Sequence, residues 1–583
     1  MSAQKSPRLA AIAAFSLASS FLFSQTPIQQ ACPRPAIGSP VTSPAEIRSD
    51  HGSLTATLSF RTSLDPAGQT RYCYIDADGH QSPTLRVHPG DSITLKLKND
   101  LPTATPSAQT HSATTPCSPK HMTADSTNLH FHGLSIPPTC HQDESLNTQI
   151  RPADSAFEYQ FHIPASQTPG LYWYHPHIHG NSEAQLLGGA SGALIVEEPE
   201  SKSAEVKHEP GKGSAVNENH SKEPEATKDA ATNPTSQPLP ERIFVIRDQP
   251  PAPDAEPGHP AKDLSVNFIP VPYPTYPMAI LRTRPSRREF WRVLNACADT
   301  YLDLGVLFNG KWRQLGLVAV DGTPLGRGPG HADGISWQND IPIPPGGRAE
   351  FALDTPAEHV DAELLTLGVD TSLPNDEDNP RTRTAISTTP VPESDDANPP
   401  RQLVKIIAST DAGETPTQAA LPEPSSASDL AHAKPVRQRR FYFSEKVLDP
   451  QHPATSTIYY ITEQGARPEA FHVSAAPNVT VRSGDVEDWV IENRSPESHA
   501  FHIHQLHFLT LQRDGAATKE AYLRDTIDVP YWDGTSPHFP SVKLRMDFRD
   551  PSIIGRFPYH CHVLQHADAG MMGVIEVKPK LQK

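Results

Sequence analysis

The chain has 583 residues, several times the size of a typical single domain, so two to four independent cores are expected. Charged residues make up 20 % and proline fills 62 positions, which suits β-rich domains joined by polar linkers better than helical bundles or membrane spans. A formal net charge of −17 argues against a nucleic-acid partner, because phosphate binding needs clustered Lys and Arg.

At the N-terminus, Lys5 and Arg8 precede an apolar run from Leu9 to Phe23. The run is too short and too rich in Ala and Ser for a spanning helix, and it ends in Ser24 and Gln25 without a basic stop-transfer flank. Residues 1–31 are therefore read as a cleavable signal peptide with a short extension, and the absence of a twin-arginine pair favours the general secretion route. The expectation is an exported protein, periplasmic or secreted, with no stable membrane insertion after cleavage.

Farther along, three stretches share a turn and an alternating strand that ends in Asn. They run from Gly90-Asp91 through Leu95 and Leu97 to Asn99, from Arg287 through Trp291 and Val293 to Asn295, and from Gly484-Asp485 through Trp489 and Ile491 to Asn493. The three Asn are 196 and 198 residues apart, a period too long for a solenoid and right for three related domains. Gly170-Leu-Tyr-Trp-Tyr-His175-Pro-His177 also lines up with Gly555-Arg-Phe-Pro-Tyr-His560-Cys561-His562, linking the first and third repeats. Period-two alternation and turn residues argue for β-sandwiches or small barrels. The expected domains are 45–197, 241–370 and 436–583. Residues 198–240, rich in Glu, Lys, Ser, Pro and Ala, read as a disordered linker, and 371–435 as a low-complexity linker broken by the strand-like Leu403–Ile407.

Six cysteines are present: Cys32, Cys73, Cys117, Cys140, Cys297 and Cys561. Most should be disulfides in an exported protein, yet Cys561 between His560 and His562 is poor company for a structural bridge. Cys117 and Cys140 flank one short stretch and are able to pair, but spacing does not establish the geometry a disulfide needs, so connectivity stays open.

His-x-His occurs at His130-Phe-His132, His175-Pro-His177, His502-Ile-His504 and His560-Cys-His562. Residues i and i+2 of a strand share a face, so each pair presents two imidazoles to a common point. One pair alone carries little weight, since isolated histidines often have no ligand role. Four pairs in two repeats are different: eight imidazoles in one place make no sense for a packed core, where each needs a partner, but suit several divalent metals. The natural meeting place is the interface between the first and third domains. Cys561 leaves the opposite face of its strand and must serve another site. With His566 five residues on, Met571 ten residues on, and His499 three residues before His502, it gives the one-Cys, two-His, one-Met donor set of a blue-copper centre. Zinc has no use for that Met.

The motifs His-x-His-Gly at 130–133, Tyr-His-x-His at 174–177, His-x-x-His-x-His at 499–504 and His-Cys-His-x-x-x-His-x-x-x-x-Met at 560–571 resemble those of the multicopper oxidases. The resemblance covers nearly the whole chain apart from the linkers. It implies an all-β fold of three cupredoxin-like Greek-key barrel or sandwich domains and four copper ions per chain. By the same carry-over His499, Cys561, His566 and Met571 hold a type 1 copper, His130 and His502 a type 2 copper, and His132, His175, His177, His504, His560 and His562 a type 3 pair. Asp143 matches a family Asp that interacts with water at the type 2 copper. Bacterial relatives often carry Glu directly after the second type 1 His; here that position is Ala567, which moves proton supply elsewhere, with Asp568 or water as candidates. His141, His179 and His507 have no counterpart in the ligand set, and Trp173 and Tyr174 read as packing around the cluster.

The implied function is a laccase-like, copper-dependent oxidase acting as a monomer. It takes single electrons from a small reducing substrate, phenolic or aromatic by first expectation, and reduces dioxygen to water. The rivals are a cupredoxin-like envelope scaffold without catalysis, a copper nitrite reductase, and a cuprous-ion oxidase in copper tolerance. The complete donor set counts against the first and three repeats against the second. A chain with only six Met, and hence no Met-rich insert, counts against the third.

Overall fold

The strand that ends in Asn is the same structural piece three times over. Ser92–Asn99, Arg288–Asn295 and Val486–Asn493 each run parallel to a long first strand, Ser53–Leu64, Leu239–Gln249 and Arg437–Val447 respectively. In each repeat the buried Asn side chain donates to two or three main-chain carbonyls beyond the strand and accepts one N–H from the residue two positions on. Asn99 reaches Asp125 and Ile150, Asn295 reaches Thr300 and Ile343, and Asn493 reaches Glu497, Val529 and Pro530. A buried amide is kept where it satisfies several main-chain groups at once. That is the physical reason for the repeat.

The computed structural model describes residues 31–580, except 103–115, 118–121, 153, 199–237, 252–259, 328–332, 373–397, 413–415 and 426. The signal-peptide reading lies outside the described residues, and so does nearly all of the 198–240 linker. The chain is all-β, and the described residues form six sheets in three pairs that follow chain order. Among the described residues no α-helix exceeds six residues, and none is long and apolar enough to cross a membrane.

Each pair of sheets encloses its own apolar core, around Leu58, Phe60 and Phe131 in the first, Phe244, Trp291 and Phe351 in the second, and Phe441, Trp489 and Phe501 in the third. Alternation of buried and more exposed positions from Ser53 to Arg61 shows one face on that core and one toward water. A fourth cluster, with Trp173 and Ile195 from the first unit, Val245 and Leu294 from the second and Leu564 and Met572 from the third, packs all three together.

The structure changes one expectation and fills in one that the sequence left open. The strand-like piece in the 371–435 linker is no isolated strand. Arg401–Ala408 pairs with Ala279–Thr283 and Ala362–Thr366, and Leu403, Val404 and Ile406 sit in the middle core, so this unit's sheets run past residue 370. Farther on, Gln418–Ala419 pairs with Leu239–Pro240, and helix Ser428–His432 packs Leu430 against Val486 and Leu509. The Pro- and Ser-rich flanks hid these pieces, because composition weighs a window and not the few apolar residues that find a core. The open cysteine connectivity resolves into Cys32–Cys73 and Cys117–Cys140, leaving Cys297 and Cys561 as buried free thiols.

Candidate metal centres

Two neighbouring strands of the third unit, His499–Ile503 and Gly555–Cys561, pair antiparallel so that Phe501 faces Cys561 and His502 faces His560. Alternation then sorts the side chains. His499, Phe501, Ile503 and Cys561 turn into the third unit's core, and His502, His504, His560 and His562 turn the other way, toward the first unit. In the first unit His130–His132 pairs with Gly170–His175, placing His130 opposite His175. Three of the four pairs straddle a strand end: His177, His504 and His562 each lie just beyond their strands.

The eight rings meet. His130 stacks on His504 at 3.7 Å between centroids and His132 on His502 at 3.9 Å, each contact joining the first unit to the third. His177 lies 5.2 Å from His560, and His132 and His175 lie 5.1 and 5.6 Å from His562. All eight are buried.

Hydrogen bonds fix which nitrogen faces inward, since a carbonyl or carboxylate oxygen only accepts. His175, His502 and His560 each donate from Nδ1 to a main-chain carbonyl, of Pro176, Asp525 and Cys561, at 2.8–2.9 Å. His130 donates from Nδ1 to Asp143 at 3.0 Å. His132 is reversed, donating from Nε2 to Asp525 at 3.0 Å. The opposite nitrogens, His130 Nε2, His132 Nδ1, His175 Nε2 and His502 Nε2, have no hydrogen-bond partner, nor has either nitrogen of His562. His560 Nε2, which carries no hydrogen, sits 3.4 Å from His177 Nε2 and 3.2 Å from His504 Nε2. Burial holds every ring well below the usual histidine range, His560 at about 4 and His130 at about 3, so the rings are neutral and each keeps one nitrogen lone pair. Buried ring nitrogens that converge without hydrogen-bond partners fit metal ions.

On the other side of the Cys561 strand, the Nδ1 atoms of His499 and His566 are 3.0 Å apart and lie 3.6 and 3.8 Å from Cys561 Sγ. Their outer nitrogens are taken: His499 Nε2 by Ser495 Oγ at 2.6 Å and His566 Nε2 by Glu497 at 3.0 Å. Tyr459 stacks on His566 at 4.1 Å. Met571 is fully buried in the same core, and its backbone bonds Cys561 N at 3.1 Å and His566 O at 2.9 Å. A thiol, two imidazole nitrogens and a buried Met suit copper.

Around these groups the structure adds Asp525, Arg348, Ser145 and Gln505, which no motif announced, and places the other residues named from the sequence. Asp143, expected from the resemblance beside the type 2 site, accepts from His130 Nδ1, from the Phe131 N–H and from Gln505. Asp525 serves His132 and forms a bidentate pair with Arg348, and Ser145 Oγ lies 3.4 Å from His504 Nδ1. Trp173 stacks on His175 at 4.1 Å, as packing would have it. His507 donates to the Asp321 carbonyl at 3.0 Å, His141 stacks on Phe157, and His179 packs edge-on to Phe471; none joins the cluster. Asp568 accepts from the N–H groups of Gly180 and Glu183 at 2.8 and 2.9 Å, and Ala567 is buried in the interface between units.

Two multicopper oxidase family profiles match, over residues 119–201 and 444–581. A laccase of Haloferax volcanii is 26 % identical over 298 residues, 49 % of this chain and 43 % of that protein. Copper resistance protein A of Escherichia coli is 28 % identical over 141 residues, 24 % and 18 % of the two chains. An iron transport multicopper oxidase, fetC, of Epichloe festucae is 33 % identical over 120 residues, 20 % and 15 %. These matches span less than half the length of each of those relatives. In structure the chain is similar to a multicopper oxidase from Campylobacter jejuni, with TM-score 0.61, 19 % identity, and 94 % and 96 % of the two chains covered. It is similar also to a laccase-like enzyme, CueO, of Ochrobactrum sp., with TM-score 0.58, 20 % identity, and 92 % and 100 % covered.

Proposed function

Because this chain belongs to the multicopper oxidase family, we propose that it couples one-electron oxidation of small aromatic reductants, phenols first, to reduction of dioxygen to water. Four copper ions are assigned per chain. His499, Cys561, His566 and Met571 would hold the type 1 ion, His130 and His502 the type 2 ion, and His132, His175, His177, His504, His560 and His562 the type 3 pair. Bound copper supplies one-electron acceptance at the thiolate and delivery of several electrons to dioxygen at the histidines.

What the chain supplies is position and exclusion of water. Cys561 is joined by single peptide links to His560 and His562, so the two donor sets share a short bonded route. Buried walls keep bulk water from the histidine side. Beside His566 a cleft lined by Lys262, Asp299, Tyr301, Glu497 and Gln565 leaves the Glu497 carboxylate within reach as an acceptor for a phenolic hydroxyl. Export and a monomeric state belong to the same reading.

The observation that carries it is the set of facing ring nitrogens from two repeats, most without a hydrogen-bond partner, together with a separate thiol–imidazole group on the far side of one strand. Copper analysis after loading, with oxygen uptake on phenols, aromatic amines, ferrous and cuprous ions, tests it. Four ions per chain and fastest uptake on phenols are expected. Purified chain that retains no copper would end the reading, and preference for a metal ion would replace the substrate class.

A further inference from the structure

Arg348 belongs to the middle repeat, which contributes no histidine pair, yet its fully buried guanidinium reaches the cluster's edge. Nη1 and Nη2 donate to the two oxygens of Asp525 at 2.8 and 2.6 Å, while Nε and Nη1 also donate to the carbonyls of Leu171 and Gly346. Asp525 Oδ1 then accepts from His132 Nε2 at 3.0 Å and from Thr526 Oγ1 at 2.8 Å, and the Asp525 carbonyl accepts from His502 Nδ1 at 2.9 Å. Asp321, also of the middle unit, holds the N–H groups of Arg348, Asp525 and Thr526. One ion pair thereby ties three units to two rings of the cluster.

His132 is the ring whose bonded and free nitrogens are exchanged relative to His130, His175, His502 and His560. Carboxylate oxygens facing Nε2 accept and so set that orientation, and the Arg348 fork on both oxygens holds the carboxylate in place. Glycines in tight places give independent support. A Cβ on Gly133, next to His132 at φ +88°, would lie 2.6 Å from Arg348 Nη2 and 2.8 Å from Asp525 Oδ2. A Cβ on Gly346 would lie 2.7 Å from the ring of His562. The middle unit is thus pressed against the cluster through backbone that tolerates no side chain.

We propose that Arg348, acting through Asp525, is a positioning residue that fixes the reversed tautomer of His132 and with it the inward face of the histidine cluster. The inference rests on the copper reading given above. Its test uses the copper-loaded full chain with three variants: Asp525→Asn, which can donate as well as accept; Arg348→Lys, which keeps the charge and loses the fork; and Arg242→Met. The last removes a buried ion pair with Glu289 in the same unit, away from the histidines. Asp525→Asn is expected to keep the blue type 1 colour while the cluster's copper is lost to a competing chelator about 10–100-fold more readily, with altered cluster EPR. Arg348→Lys should show the same change at smaller size, and it carries the test alone should Asp525→Asn not fold. Arg242→Met should lower Tm and leave the cluster signals as they were. Unchanged cluster EPR and copper retention in Asp525→Asn and Arg348→Lys, or the same change in Arg242→Met, overturns the inference. Unmodified protein without cluster copper instead overturns the reading beneath it.

Discussion

Cys561 leaves its strand on the side opposite His560 and His562, and its sulfur lies within 4 Å of two imidazole nitrogens that belong to neither neighbour. The thiol and the flanking rings are thus adjacent along the chain and separate in space. Cys561→Ser is expected to abolish the blue colour and the oxidase activity while most of the copper at the histidines stays bound, read by metal analysis and EPR on one sample. Loss of all copper would show that the two donor sets are not independent.

At the scale of elements, the repeated strand does its work at its last residue. Asn295 satisfies the carbonyls of Thr300 and Ile343 and the N–H of Cys297, all buried. Asn295→Ala orphans these groups, at about 1–3 kcal/mol for each one left unpaired, so a loss of about 3 kcal/mol or more in urea unfolding is expected. Because the middle unit supplies no proposed ligand, the colour of the folded variant should be unchanged. Among the described residues helices are short connectors, and at the start of Ser182–Leu187 Asp568 of another unit accepts from Glu183 N–H and from Gly180 N–H just before the helix.

Over the whole molecule, that contact gives a pH dependence. Burial raises the Asp568 carboxyl to about 7, despite the N–H groups that favour its charge. The folded chain therefore keeps a proton that the unfolded chain releases near pH 4, and stability from this group falls as pH rises from about 4 to about 7. Asp568→Asn holds no proton to lose. Its Tm should fall less than that of the parent between pH 5 and pH 7.5, by calorimetry; parallel curves would mean that Asp568 is charged throughout.

Rules of short range made much of this legible in the sequence. Alternation with a period of two put each His-x-His pair on one face and Cys561 on the other, and the spacing of Asn99, Asn295 and Asn493 marked three units, because both signals lie within a few bonded residues. Buried charges were not legible. Asp525 and Arg348 look in sequence like any exposed acid and base, and only the packing of three units brings residues 177 positions apart into one pair. The same holds for the strand Arg401–Ala408, whose partners lie across the middle sheet, and for Cys32, which finds Cys73 from a segment of unremarked composition. Local patterns decide which way a side chain points. What it meets there, and hence which ring nitrogen is left free, is decided by contacts between chain segments that no local pattern encodes.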